Sequence, residues 1–291
     1  MKFLKQSLLL LLTSALLFTA CSDDDDDKKE LGEKEGILLV TFGSSYPGPK
    51  DTFKNIEEEV KKEYSNMEVR WAYTSHIIRN ILLGRGEDID SPEEAMKKMK
   101  EDGFSKIILQ SLHVIPGAEY NDLKATMEKF VKENEGMKVS LGHPLMYDDS
   151  DLDELGDILV DVFKAEKEAG EAVVFMGHGT HHEANDRYSR FQEKLTAKAA
   201  NFFVGTVEAS PTLDDVIAKL EKTGIKTVTV TPLMSVAGDH ANNDMAGDEE
   251  DSWKTVLEAK GYAVKTVLKG LGDYDDIVAI WGKHLKEVKE N

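Results

Sequence analysis

From about residue 36 to the C-terminus, short apolar runs alternate with amphipathic stretches. Ile37-Leu38-Leu39-Val40 is a compact apolar run that breaks into Thr41-Phe42-Gly43-Ser44-Ser45. A segment apolar at every position suits a parallel strand buried on both faces. Residues 51–64 carry Phe53, Ile56 and Val60 at helical spacing among charges, which predicts a helix. Residues 67–74 read as a second strand. Ser91-Pro92-Glu93-Glu94 opens a helix with a capping serine and a proline at the first helical position. That helix runs to about Asp102, where Gly103 stops it. A strand over 105–112, a helix over 121–134 and a strand over 137–141 follow. The order then recurs: strands over 171–176, 202–208, 226–233 and 263–269, with helices over 185–199, 212–222 and 252–260, and a closing helix over 273–290.

The recurrence extends to the residues. The stretch from Gly36 to Ser44 matches that from Glu171 to Gly179 in pattern. Residues 100–112 match 221–233, and each is followed by a glycine-containing loop. Aligning Gly117 with Gly238 sets Glu119 opposite His240. This is an internal duplication of a four-stranded βα unit. Strands alternating with helices argue for parallel sheets covered on both faces. Such sheets bind ligands beyond the carboxyl ends of their strands. Two facing halves, residues 36–145 and 146–291, would enclose a cleft lined by strand-end loops.

The N-terminus changes the picture of where the fold operates. Residues 1–20 join a basic start, Lys2 and Lys5, to an apolar stretch too short to span a bilayer, and they read as a secretory signal. Leu17-Phe18-Thr19-Ala20-Cys21 resembles a bacterial lipobox, which makes Cys21 the expected lipidation site and a membrane anchor. Cys21 is the sole cysteine, so no intrachain disulfide forms. Residues 21–35 are a highly charged stretch, including SDDDDDKKE, expected to be a solvated tether. The expected location is therefore outside the cytoplasm, periplasmic or at the cell surface. The formal charge of -19 argues against nucleic acid as a partner. The oligomeric state stays open, a homo-oligomer included.

Three polar residues fall at the ends of second-half strands. His178 follows Val173-Val174-Phe175-Met176-Gly177, Glu208 closes the strand over 202–208, and His240 lies in the loop after the strand over 226–233. Strand ends on one edge of a parallel sheet converge, so these three would meet. Two imidazoles and a carboxylate suit a divalent first-row metal and leave positions open for a substrate. Gly177 and Gly179 remove side chains beside His178 and let the backbone turn sharply. Each residue also has a plain alternative: a turn histidine, a helix cap for Glu208, a surface histidine in an Asp- and Asn-rich loop. Glu119 should face the same cleft, where its carboxylate could accept protons or hold a metal in transit. His181 and His182 are expected near solvent or behind the ligands. His113 and His76 end strands, and His143 and His284 look incidental. No Gly-x-Gly-x-x-Gly turn after a strand, Walker loop, Gly-x-Ser-x-Gly or HExxH is present, and no nucleotide requirement is visible.

Leu38 to Ser44, Gln110 to Glu119, Met176 to Thr180 and Pro232 to His240 together resemble the class II tetrapyrrole chelatases, in particular the anaerobic cobaltochelatases of the CbiK type. The resemblance covers nearly all of residues 36–288. It implies two Rossmann-like α/β halves around a cleft that holds a tetrapyrrole such as sirohydrochlorin. It also implies ATP-independent insertion of Co2+, with Fe2+ or Ni2+ suited to the same ligands. It carries metal binding onto His178, Glu208 and His240, and an acidic cleft residue onto Glu119. His178 would accept protons or hold the metal, although one ring nitrogen cannot do both at once. Metal loading needs neutral imidazole, so activity is expected to fall in acid. The export signal is a departure for a biosynthetic enzyme. It keeps two alternatives in view: a lipoprotein that captures haem, a corrinoid or a metal for uptake, and an enzyme that removes metal from a scavenged tetrapyrrole.

Overall fold

The computed structural model describes residues 34–290. The expected signal segment, Cys21 and nearly all of the tether lie outside the described residues. Two four-stranded parallel sheets are present. In the first, β1 (Glu35–Thr41), β2 (Glu68–Tyr73), β3 (Lys106–Ser111) and β4 (Lys138–Gly142) lie in the order β2-β1-β3-β4. In the second, β5 (Ala172–Gly177), β6 (Phe202–Thr206), β7 (Thr227–Pro232) and β8 (Ala263–Thr266) lie in the order β6-β5-β7-β8. The fold is therefore the α/β duplication expected.

Among the described residues ten α-helices flank the strands: α1 (Pro49–Glu63), α2 (His76–Leu83), α3 (Pro92–Glu101), α4 (Ala118–Glu133), α5 (Asp149–Val162), α6 (Lys164–Glu168), α7 (Asp186–Lys198), α8 (Leu213–Leu220), α9 (Trp253–Ala259) and α10 (Asp275–Glu290). Ser91 caps α3 in a reciprocal capping box with Glu94, as its sequence foretells. Helices α2, α5 and α6 stand outside the predicted set. Five of the eight α2 residues are aliphatic, and the helix is too short for its polar positions, His76, Arg79 and Asn80, to repeat and mark a period. In α5 the Leu152, Leu155, Leu159 stripe is present but set among five aspartates.

Alternation along the strands divides the core into layers. Ile37 and Leu39 point to one face of the first sheet, Leu38 and Val40 to the other. Val173 and Phe175 of β5 point inward, while Ala172, Val174 and Met176 point outward. The two inward faces share one apolar core with α1, α5, α7 and α10, whereas α3 and α4 cover one outer face and α8 and α9 the other. Each fully buried Leu, Ile, Val or Phe contributes about 1.5–3 kcal/mol. The expected division assigns α10 to the second half. It packs on β3, β4 and α1 of the first half and on α5 of the second, because its apolar face (Ile277, Ile280, Trp281, Leu285) completes the shared core.

Backbone bonds fix the register of the duplication. Leu112 N donates to Val40 O and Leu233 N to Met176 O, both at 2.8 Å. Thr74 N and Ser75 N donate to Thr41 O and Phe42 O, as Val207 N and Glu208 N do to Gly177 O and His178 O. Asn121 N and Asn242 N donate to Gly117 O and Gly238 O, both at 3.1 Å. The pairing of Glu119 with His240 therefore holds. The strand pairing read from the sequence, which sets Gly43 opposite His178, is one residue out of step: Phe42 is the counterpart of His178. Gly43 (φ 95°) matches Gly179 (φ 84°) instead.

Candidate metal centre

In the second sheet the strand order reverses between β5 and β7, the place where open α/β sheets bind ligands. His178 stands just beyond β5. Its turn is built by two glycines and a tyrosine. A side chain on Gly177 would meet the Tyr188 ring at 2.4 Å, so only glycine lets α7 pack this close. Burial pushes the Tyr188 phenol up to about 12, against the opposing pull of the backbone at Gly179 and His178. Gly179 has the positive φ that a side chain would strain.

Glu208 is brought to His178 by the continuing backbone ladder, Glu208 N to His178 O at 2.9 Å. Its carboxylate lies 3.7 Å from His178 Nδ1. The plain alternative for Glu208, a cap on α8, is not what the structure shows: Thr212 caps α8 with Asp215. His240 precedes a single π-helical turn, Ala241–Met245, and its ring meets that of His178 edge to face at 4.7 Å. One ligand atom from each of His178, Glu208 and His240 lies within 4.8 Å of the others. The three residues expected to meet are thus brought together, with His178 and Glu208 about half exposed and His240 partly buried.

Hydrogen bonds set the orientation of both rings. His178 Nδ1 faces Gly179 O at 2.8 Å, and a carbonyl can only accept. His240 Nδ1 lies 2.5 Å from Asp244 Oδ2, again an acceptor. Both Nδ1 atoms therefore carry the proton, and both Nε2 lone pairs are left free to ligate. A carboxylate behind a ligand histidine fixes its tautomer and ring orientation. Asp244 is a residue the sequence reading missed. Its one signal is the four-residue spacing from His240, meaningful only once the loop is known to be helical.

Other candidates separate clearly. Glu119 is in the first turn of α4, exposed, and its Oε2 accepts from Thr74 Oγ1 at 3.0 Å. It is not part of the three-residue cluster. His181 is exposed, whereas both ring nitrogens of His182 are engaged, with Ala184 N and the Asn121 side chain. His76 opens α2 and is exposed. His113 is buried, its Nδ1 bonded to Ser111 Oγ, and burial pushes the imidazole down to about 4. His143 and His284 are not incidental to the fold. His143 stacks on Tyr147 at 3.6 Å, and buried His284 ties α10 to Asp151 of α5 at 3.0 Å.

The strand-end loops of the two halves meet beside this cluster. Tyr46 OH donates to Asp239 and accepts from Asn243, at 2.8 and 2.9 Å. Ser235 Oγ donates to Leu112 O. A groove of about 600 Å³ runs along this junction, bounded by Tyr46, Pro49, Asn55, Ala237, Asn242 and Lys269.

Duplicated parallel sheets with a His, Glu, His cluster at the switch point of one of them define the class as a chelatase-like α/β protein. The family model "Cobalt chelatase (CbiK)" matches residues 35–290, and the chain belongs to that enzyme family. It is 38% identical over 252 residues to the sirohydrochlorin cobaltochelatase CbiKC of Nitratidesulfovibrio vulgaris, covering 87% of this chain and 89% of that one. It is 36% identical over 263 residues to the sirohydrochlorin cobaltochelatase of Salmonella typhimurium, covering 87% and 96%. Among solved structures, the sirohydrochlorin chelatase SirB of Bacillus subtilis subspecies spizizenii in complex with cobalt shares the fold at TM-score 0.62 and 14% identity, over 89% of this chain and 96% of that one.

Proposed function

We propose that the protein inserts Co2+ into sirohydrochlorin or a related tetrapyrrole without nucleotide. The observation that carries this is the cluster of His178, Glu208 and His240, with both histidine Nε2 atoms free, at the switch point of the second sheet. The two relatives named as sirohydrochlorin cobaltochelatases, and the SirB–cobalt complex, support the choice of metal and macrocycle.

The reaction exchanges two pyrrole protons for one dication. Glu208 and the two imidazoles present one negative charge and two neutral donors. That set holds a divalent ion while leaving coordination positions for the macrocycle nitrogens. Glu119 is the counterpart of His240 on the first half and, in this reading, accepts one of the two protons that the metal displaces, the other passing to solvent. Thr74 holds its carboxylate from behind. The surrounding Asp239 and Asp244 make the approach attractive to cations.

The full-length protein in detergent should accelerate the change in the visible spectrum of sirohydrochlorin on Co2+ addition, in the absence of ATP. Saturable spectral binding with no acceleration would replace insertion by capture, and release of Co2+ from cobalt-sirohydrochlorin would replace it by removal. We also propose that the chain works outside the cytoplasm, tethered through Cys21, a reading supported by the lipobox-like sequence. Cys21→Ala should then move the protein from the membrane to the soluble fraction, and unchanged fractionation would discard the anchor.

A further inference from the structure

The register of the duplication sets a phenyl ring where the second half has its metal-side histidine. Phe42 follows β1 as His178 follows β5, each accepting the same backbone bond at its carbonyl and each followed by a glycine of positive φ. Phe42 is 45% exposed, although the four residues before Thr41 are fully buried. Of seven large exposed hydrophobic residues among those described, four are Phe42 and Ile77, Ile81 and Leu83 of α2. Helix α2 is bound to the Phe42 loop at both ends, by Ser75 N to Phe42 O and by the Arg85 guanidinium to Ser45 O. The second half has no such helix: β6 leads directly to α8. On the other side, the Phe42 loop abuts the His240 loop. Ser44 Oγ is 3.2 Å from where a side chain on Gly238 would begin, and Tyr46 bonds Asp239.

We infer that Phe42 is the platform on which a face of the flat macrocycle packs, opposite the metal-side cluster, with α2 forming the apolar border. This inference rests on the tetrapyrrole reading above. A conjugated macrocycle is large, flat and polarisable, the kind of surface an exposed aromatic ring stacks on. The duplicated scaffold thus aims two chemistries from equivalent positions: His178 at the metal and Phe42 at the ring that receives it. Phe42 can neither ligate nor titrate, so its contribution is to binding the macrocycle and not to binding the metal.

The test uses full-length protein in detergent and two titrations: metal-free sirohydrochlorin followed by absorbance, and Co2+ alone followed by competition with a chromophoric chelator. Phe42→Ala should weaken sirohydrochlorin binding about tenfold. Phe42→Tyr should stay within about twofold of the parent, and neither change should alter Co2+ affinity. Equal sirohydrochlorin affinity in the Phe42→Ala and parent proteins overturns the inference, as does a parallel loss of Co2+ affinity. A parent protein that binds sirohydrochlorin through Phe42 but does not insert Co2+ overturns the insertion reading and leaves the platform standing. A parent that binds no sirohydrochlorin overturns both.

Discussion

The strand-end faces of the two sheets share one backbone plan and differ in chemistry. At three equivalent positions the second half presents His178, Glu208 and His240, and the first presents Phe42, Ser75 and Glu119. One face offers three donors to a cation. The other offers an aromatic surface, a helix cap and one carboxylate held by Thr74. Duplication fixes where side chains emerge, and substitution at those points decides what they do. A scaffold with the same three ligands on both faces would hold two metals and offer no apolar surface for a macrocycle.

Changes on the two faces should separate in what they affect. The largest effect is expected on the metal side. His178→Ala removes one of the three donors of the cluster, and in the proposed reaction the insertion rate should fall about 10²-fold or more, beyond the loss expected for a group that merely supports a ligand. Retention of more than a tenth of the rate would remove His178 from the chemistry, provided circular dichroism shows the fold unchanged.

The next effect concerns the loops behind the two faces. His113 of the first half is equivalent to Met234 of the second. Burial holds its imidazole near 4, below its ordinary 6.5. As pH falls below about 6.5 the unfolded chain takes up a proton that the folded chain refuses, so stability is full above that pH and declines until about pH 4. The decline should reach about 3 kcal/mol. His113→Gln should flatten the dependence of Tm on pH between 4 and 6.5. Equal slopes in the two proteins would assign the acid sensitivity to other groups.

Asp244→Asn should lower Co2+ affinity about 10- to 100-fold, as expected for a carboxylate behind a ligand histidine. Sirohydrochlorin affinity should not change, and Asp244→Glu should recover part of the loss. Affinity for Co2+ unaffected by Asp244→Asn would reduce the contact with His240 to packing. The smallest effect is on the first face. Thr74→Val removes one hydrogen bond from Glu119, worth about 1 kcal/mol, and should lower kcat roughly two- to fivefold. A change in Co2+ affinity instead would place Glu119 among the metal ligands and blur the distinction between the faces.

Much of the fold was legible because strand and helix patterns are local. The run from Ile37 to Val40, the Ser91–Glu94 cap and the alternation of elements needed no tertiary information. So did His178, marked by glycines on both sides at the end of an apolar run. Helix α2 escaped because its eight residues are too few for its polar face to repeat, and Asp244 because its loop shows no helical period. The offset that paired Gly43 with His178 arose because two apolar runs can be slid by one residue without spoiling the match. Only hydrogen bonds between neighbouring strands break that degeneracy.

By itself the sequence determined the two rounds of βα units, the strand-end placement of His178, Glu208 and His240, and the equivalence of Glu119 with His240. These depend on residue spacing within a single unit. The tertiary structure decided that His178, Glu208 and His240 share one locus, that both Nε2 atoms are free, that α10 returns to the first sheet and that Phe42 mirrors His178. The physical reason is that parallel strands are joined through crossovers. Which strands become neighbours, and in what register, is fixed by packing between segments far apart in the chain.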